Sequence, residues 1–188
     1  MISPIRQIRN GIWVEARVRA GSFSAATVMA KPIPQGCHTI TRRLVVKGAA
    51  EAIGFHEESF GAEEISRMPM PGRDVRMTLG HAALRIGDSS LYLADEFPEH
   101  GAVGPNGHSR VTIHRFVADA DAAFDRAVAA GATVTMPLAD MSRGDRHGKV
   151  VDPFGHHWSI ATREEDLTPE EMHQRMMAGF GGSSRDPA

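Results

Sequence analysis

At 188 residues with a net charge of −2, the chain suits one domain or two small modules sharing a core, and it lacks the basic stripe that nucleic-acid binding needs. Its single cysteine, Cys37, excludes an intrachain disulfide and any zinc site built from a cysteine cluster. No uncharged run is long enough to span a bilayer, so a cytoplasmic protein with no membrane partner is expected.

Residues 1–30 read as an N-terminal extension. They carry Arg6, Arg9, Arg17 and Arg19 against Glu15 alone, with no amphipathic period. An arginine-rich, acid-poor start has the composition of a transit peptide, while residues 29–34 (MAKPIP) look like a natural protein start. Residues 1–28 are therefore expected to be an upstream extension, poorly ordered.

A first module spans residues 31–98. Residues 39–46 alternate weakly and end in β-branched side chains, which predicts a strand. Ala49, Ala52, Ile53, His56 and Phe60 recur at helical spacing, and Gly61 is placed to cap that helix because it tolerates positive φ. A short strand is predicted over 63–68, a Pro/Gly loop over 69–74, and a hairpin of strands 81–86 and 90–94 about Gly87-Asp88-Ser89. Residues 99–109, with Gly101, Gly104, Pro105 and Gly107, form the linker.

The second module, residues 110–163, repeats the plan. A strand over 111–117 leads to Asp119, a natural N-cap, and to a helix whose buried stripe is Ala123, Phe124, Ala127 and Val128. Gly131 stops the helix and a strand starts at Thr133. Residues 143–148 are predicted as a loop, 149–151 as a strand, 152–155 as a turn and 157–162 as the closing strand. In the last part, residues 164–188, Thr168-Pro169-Glu170-Glu171 is a capping box that opens a helix through about residue 178. Strand, helix, Gly-Ala stop and further strands thus occur twice. Such a pair implies two units that bury a face against each other and leave a cleft for a small molecule.

Several phrases carry a resemblance: MAKPIPQG at 29–36, LVVKGA at 44–49, FGAEE at 60–64, HAALRIGDSSLYLADE at 81–96, Gly144-Asp145-Arg146, and DPFGHHW at 152–158. With the tandem units they resemble the vicinal oxygen chelate superfamily, which includes glyoxalase I, extradiol dioxygenases, and fosfomycin- and bleomycin-resistance proteins. Within it, the chain is most similar to the glyoxalase/bleomycin-resistance-like branch called PhnB-like. The resemblance implies an α+β fold of tandem βαβββ modules forming a curved mixed sheet. It also implies four His or Glu metal ligands on the first and last strand of each module, positions that fall here on Thr41, Tyr92, Thr112 and Ser159. Neutral hydroxyls are weak ligands for such ions, so no cofactor is expected; the alternative is a divalent metal at a displaced site.

Period-two alternation adds Thr39, Arg43, His114 and His157 to the same cleft faces. A displaced metal site would use His81, His114 and His157; otherwise these are buried, hydrogen-bonded histidines or cover for the pocket floor. Arg146 either fixes its own loop or leans over the cleft to hold an anionic group. Trp158 and Phe116 are expected to pack under the helices, and Cys37 to be incidental. The leading functional reading is a metal-independent protein that encloses a small organic ligand, as a homodimer because half-barrel edges need a partner. One alternative is a glyoxalase-like lyase with a His-based metal or acid–base site; another is a structural module with a filled cleft.

Overall fold

The computed structural model describes residues 6–9, 12–15, 31–70, 78–107 and 109–181, with side chains for those among them from 31 to 179. The chain divides into two compact units, Met1–Pro32 and Ile33–Ala188. In the first, β1 (Arg6–Arg9) and β2 (Ile12–Glu15) pair antiparallel, with Arg9 opposite Ile12. The sequence predicts no element there. The expectation of poor order over 1–28 falls mostly on residues outside those described.

The second unit holds both modules. The first runs β3 (Arg42–Val46), α1 (Ala49–Phe60), β4 (Glu63–Pro69), β5 (Leu79–Ile86) and β6 (Ser89–Asp95). The second runs β7 (Thr112–Phe116), α2 (Ala120–Ala129), β8 (Thr133–Asp140), β9 (Asp145–Val151) and β10 (His157–Arg163). Helix α3 (Pro169–Gly181) follows. The sheet orders, β3-β6-β5-β4 and β7-β10-β9-β8, are the same pattern twice. In each, the first strand lies parallel to the last and the remaining pairs are antiparallel. The expected α+β tandem-module architecture is therefore present, with its mixed sheet built as two four-stranded sheets.

Local chemistry explains the element ends. Gly61 caps α1 in the left-handed region at φ 63°, where a side chain would be strained. At the other end, Gly48 N and Ala49 N donate to Asp95 Oδ1 at 2.9 and 3.0 Å, so the last residue of β6 supplies the acceptor the helix lacks. Asp119 Oδ1 accepts Ala122 N at 2.9 Å and starts α2 as predicted. Thr168 and Glu171 form the predicted reciprocal box ahead of α3, with Glu171 Oε2 accepting Thr168 N at 2.8 Å.

Two boundary differences bear on the site. Strand β3 begins at Arg42, so Thr39 and Thr41 precede it, and Thr41 Oγ1 donates to the His38 carbonyl at 3.2 Å in a local bend. Strand β9 takes in residues 145–148, predicted as loop. Gly148 allows this: a Cβ there would sit 2.6 Å from Phe124 Cε2, so only glycine lets the strand pass beneath α2.

The core is continuous across the modules. Phe60, at the end of α1, lies 4.4 Å from Trp158 of β10 between ring centres, and His56 lies 5.5 Å from the same indole. Leu44, Leu84 and Leu93 from one module join Ile113, Val150 and Ile160 from the other in a single buried cluster. No helix among the described residues is long and apolar enough to cross a membrane.

Candidate functional site

With the apolar side of each sheet turned to the helices, the polar side of the second sheet is built by strict alternation. Register sets Thr112 beside His157, and His114 beside Ser159, which lies in turn beside Lys149. His147, two residues before Lys149, projects on the same side. Ser159 is buried, and its Oγ lies 2.8 Å from Nδ1 of His114 and 2.5 Å from Nε2 of His147. A hydroxyl carries one hydrogen, so it donates to one imidazole and accepts from the other. The two rings are therefore coupled in tautomer through Ser159.

The cluster opens to a small cavity of about 280 Å³ lined by Thr112, His114, Arg143, His147, Lys149 and Ser159. Burial pushes the His114 imidazole below its ordinary range, and the Arg143 charge pushes the same way. His147 is lowered by burial first, then by Arg143, His114 and Lys149. Both rings are thus neutral near pH 7. Arg143 is held by Asp145, with Nε donating to Oδ2 at 2.5 Å. Phe116 lies on this open side too, 60% exposed with its ring 4.5 Å from that of His114. Its parity with Thr112 and His114 requires that, so the expectation that Phe116 packs under the helices is corrected. Trp158, on the opposite parity, is buried as expected.

The first sheet presents a smaller polar face. Arg43 pairs in register with Tyr92, and the His81 ring meets Tyr92 edge-on at 4.8 Å. Cys37 Sγ lies 3.0 Å from Tyr92 Oη and 3.7 Å from Ser90 Oγ. The hydrogen bond from Tyr92 is the main cause of a thiol pKa below its usual value. Cys37 therefore lies on this face, because residues 36 and 37 run beside Ser90 and Tyr92 of β6.

The remaining sequence candidates are placed as follows. Thr39 is exposed ahead of β3. His157 sits beside Thr112 with a buried Nε2 that has no hydrogen-bond partner. Arg146 is not at the cleft: its Nε and Nη2 grip Asp121 at 2.5 and 2.6 Å, and Nη1 reaches Asp140 at 2.9 Å, on the helix side of β9. That triple engagement raises its pKa and fixes α2 to the sheet.

The positions the resemblance assigns to metal ligands do not fit one. Thr41, Tyr92, Thr112 and Ser159 offer neutral hydroxyls where a divalent ion needs imidazole or carboxylate, and Ser159 is taken by two imidazoles. In the displaced set, His81 is on β5 of the first sheet, and His114 and His157 are on β7 and β10 of the second. Among the described residues no group of three or more His, Cys, Asp or Glu side chains could hold a metal ion. His147 escaped the sequence reading because Gly144 and Gly148 suggested a loop; alternation carried back from Lys149 would have found it.

Residues 37–160 match the sequence profile described as Glyoxalase/Bleomycin resistance protein/Dioxygenase superfamily. The protein Mb0911c of Mycobacterium bovis is 42% identical over 148 residues, covering 76% of this chain and 95% of its own. Among solved structures, TioX from Micromonospora sp. ML1 is 27% identical with a TM-score of 0.54, over 66% of this chain and 97% of that one. The Arabidopsis thaliana gene product At5g48480 is similar at 27% identity and a TM-score of 0.52, over 66% and 98% respectively.

Proposed function

The chain belongs to the Glyoxalase/Bleomycin resistance protein/Dioxygenase superfamily, and from that premise we propose that it is a small-molecule-binding protein that works without the superfamily's usual metal. The ligand would lie against the polar face of the second sheet, where Lys149, Arg143 and Thr112 surround the His114–Ser159–His147 cluster. One observation carries the reading: Ser159, at a position where the resemblance predicts a chelating His or Glu, is engaged by two imidazoles instead. Such a face recognises an acceptor-rich group by hydrogen bonds and needs no ion to do so.

A thermal-shift screen of small organic compounds tests it, because a ligand that binds only the folded state raises the melting temperature. A stabilising compound should lose at least about tenfold in affinity on Lys149→Ala, the size of one lost hydrogen bond to a charged or polar partner. Stoichiometric zinc or nickel in protein purified without a histidine tag would overturn the metal-free reading.

A second reading is favoured by the same cluster. Two neutral imidazoles joined through a hydroxyl can accept and pass on a proton, which is the equipment of a glyoxalase-like acid–base enzyme. Isomerisation of the methylglyoxal–glutathione adduct, lost in His114→Gln, would select it over simple binding. We further propose a homodimer of the PhnB-like type, since β7 is an edge strand of its sheet among the described residues, with Val111 exposed just ahead of it. A monomer mass in analytical ultracentrifugation at micromolar concentration would remove that part.

A further inference from the structure

A second cavity lies where the modules meet, at the other side of β7. It measures about 440 Å³ and is walled by Arg42 at the start of β3, the β5–β6 turn from Ile86 to Leu91, and residues 113–116 of β7, with Trp158 behind them. That volume falls within the roughly 300–1,000 Å³ of small-molecule sites.

The charges around it are unbalanced. Arg115 reaches out of the second module: its Nη2 donates to the Phe60 carbonyl at 3.0 Å, and its Cζ lies 5.4 Å from the Phe60 ring centre. Its Nη1 is buried and has no hydrogen-bond partner. No carboxylate among the described residues pairs with it. Among the described residues its compensation is the partial negative charge at the end of α1 and the face of the Phe60 ring. Desolvation, with the nearby Arg126 charge, pushes its pKa down, as expected of a cation short of a counter-charge. Arg42 stands exposed at the mouth, also without a carboxylate partner among the described residues. Asp88 is the one carboxylate among the lining residues, and its Oδ1 already accepts Ser89 Oγ at 2.9 Å.

We propose that this recess is a binding site for a small organic anion with an apolar body, a carboxylate or sulfonate on an aromatic or short aliphatic frame. The anionic head would sit between Arg42 and Arg115, supplying the counter-charge both lack. The body would lie along Ile86, the partly exposed apolar side chain of the lining, over the buried wall of Leu91, Ile113 and Trp158. The site is separate from the His147 face, although His114 borders both cavities.

The test uses the full chain with Trp13→Phe, which leaves Trp158 as the one tryptophan. 8-Anilinonaphthalene-1-sulfonate is titrated and energy transfer from Trp158 is read, beside the neutral N-phenyl-1-naphthylamine. Expected is one saturable sulfonate site, at least tenfold tighter than the neutral amine, displaced by 2-naphthoate but not by the same concentration of inorganic phosphate. Arg42→Glu, at an exposed position at the start of β3, should weaken the sulfonate at least tenfold and leave the amine unchanged. The same reversal at Arg175 on α3 should change neither. Equal binding of the two probes, indifference to Arg42→Glu, or full displacement by phosphate would each overturn the proposal. Arg115→Gln adds a second reading of the head group if it folds; Arg42→Glu decides the matter if it does not.

Discussion

His56 sits fully buried on α1 with the rings of Phe55, Phe60 and Trp158 around it. Its Nδ1 donates to the Ala52 carbonyl at 2.6 Å, and its Nε2 has no partner. Burial holds this imidazole below its ordinary value of 6.5, against a smaller opposing pull from the Ala52 carbonyl. The unfolded chain therefore takes up a proton before the folded one does as pH falls. Stability is complete above about pH 6.5 and declines below it, by about 1.4 kcal/mol per pH unit for one such group until the folded value is reached. His114 and His147 are lowered too and add to the decline in the same direction. Urea unfolding at pH 7.5 and 5.5 should show the native protein losing about 1 kcal/mol or more between them. His56→Phe, which fits the aromatic surroundings and removes the orphaned nitrogen, should lose clearly less. Equal losses in the two proteins would show that His56 is not the group responsible.

Among the elements, Asp95 has the widest reach. Besides the two N–H groups at the start of α1, its Oδ2 accepts Leu79 N at 2.6 Å, so one buried carboxylate ties the ends of β6 and β5 to the helix. Asp95→Ala would leave three N–H donors without an acceptor, a loss of about 3 kcal/mol or more. Asp95→Asn, which keeps one carbonyl oxygen, should cost less; a measured loss under about 1 kcal/mol for the alanine variant would mean that water replaces the carboxylate. The sequence showed α1 and α2 well, because Gly61 and Asp119 act through their own backbone and immediate neighbours. It could not show that Asp95 caps a helix 46 residues away, since that depends on the parallel pairing of β3 with β6. The candidate site divides in the same way. Thr112, His114, His157 and Ser159 follow from alternation on β7 and β10, whereas His147 depends on Gly148 slipping under Phe124. Thr39 and Thr41 lie ahead of β3, which starts only at Arg42 after a bend over residues 39 and 40, and Arg146 is held away from the cleft by Asp121 and Asp140 on the other side.

For the whole molecule, the duplication does not make two independent domains. Residues 33–188 form one compact unit, in which α1 packs on α2 and Phe60 of the first module lies on Trp158 of the second. Neither module could keep that surface buried alone, and a half-size core is marginal in any case. Unfolding of this unit should therefore be a single cooperative event. In a Trp13→Phe background, Trp158 fluorescence reports the shared core and far-UV circular dichroism reports both sheets. The two urea transitions should coincide. Phe60→Ala should lower the stability of that one transition by about 3–5 kcal/mol, the usual cost of emptying a large aromatic site, without splitting it. Fluorescence and dichroism midpoints that separate, in the parent or in the variant, would mean that each module holds its fold by itself and that the recess between them is a contact of two domains instead of a cavity within one core.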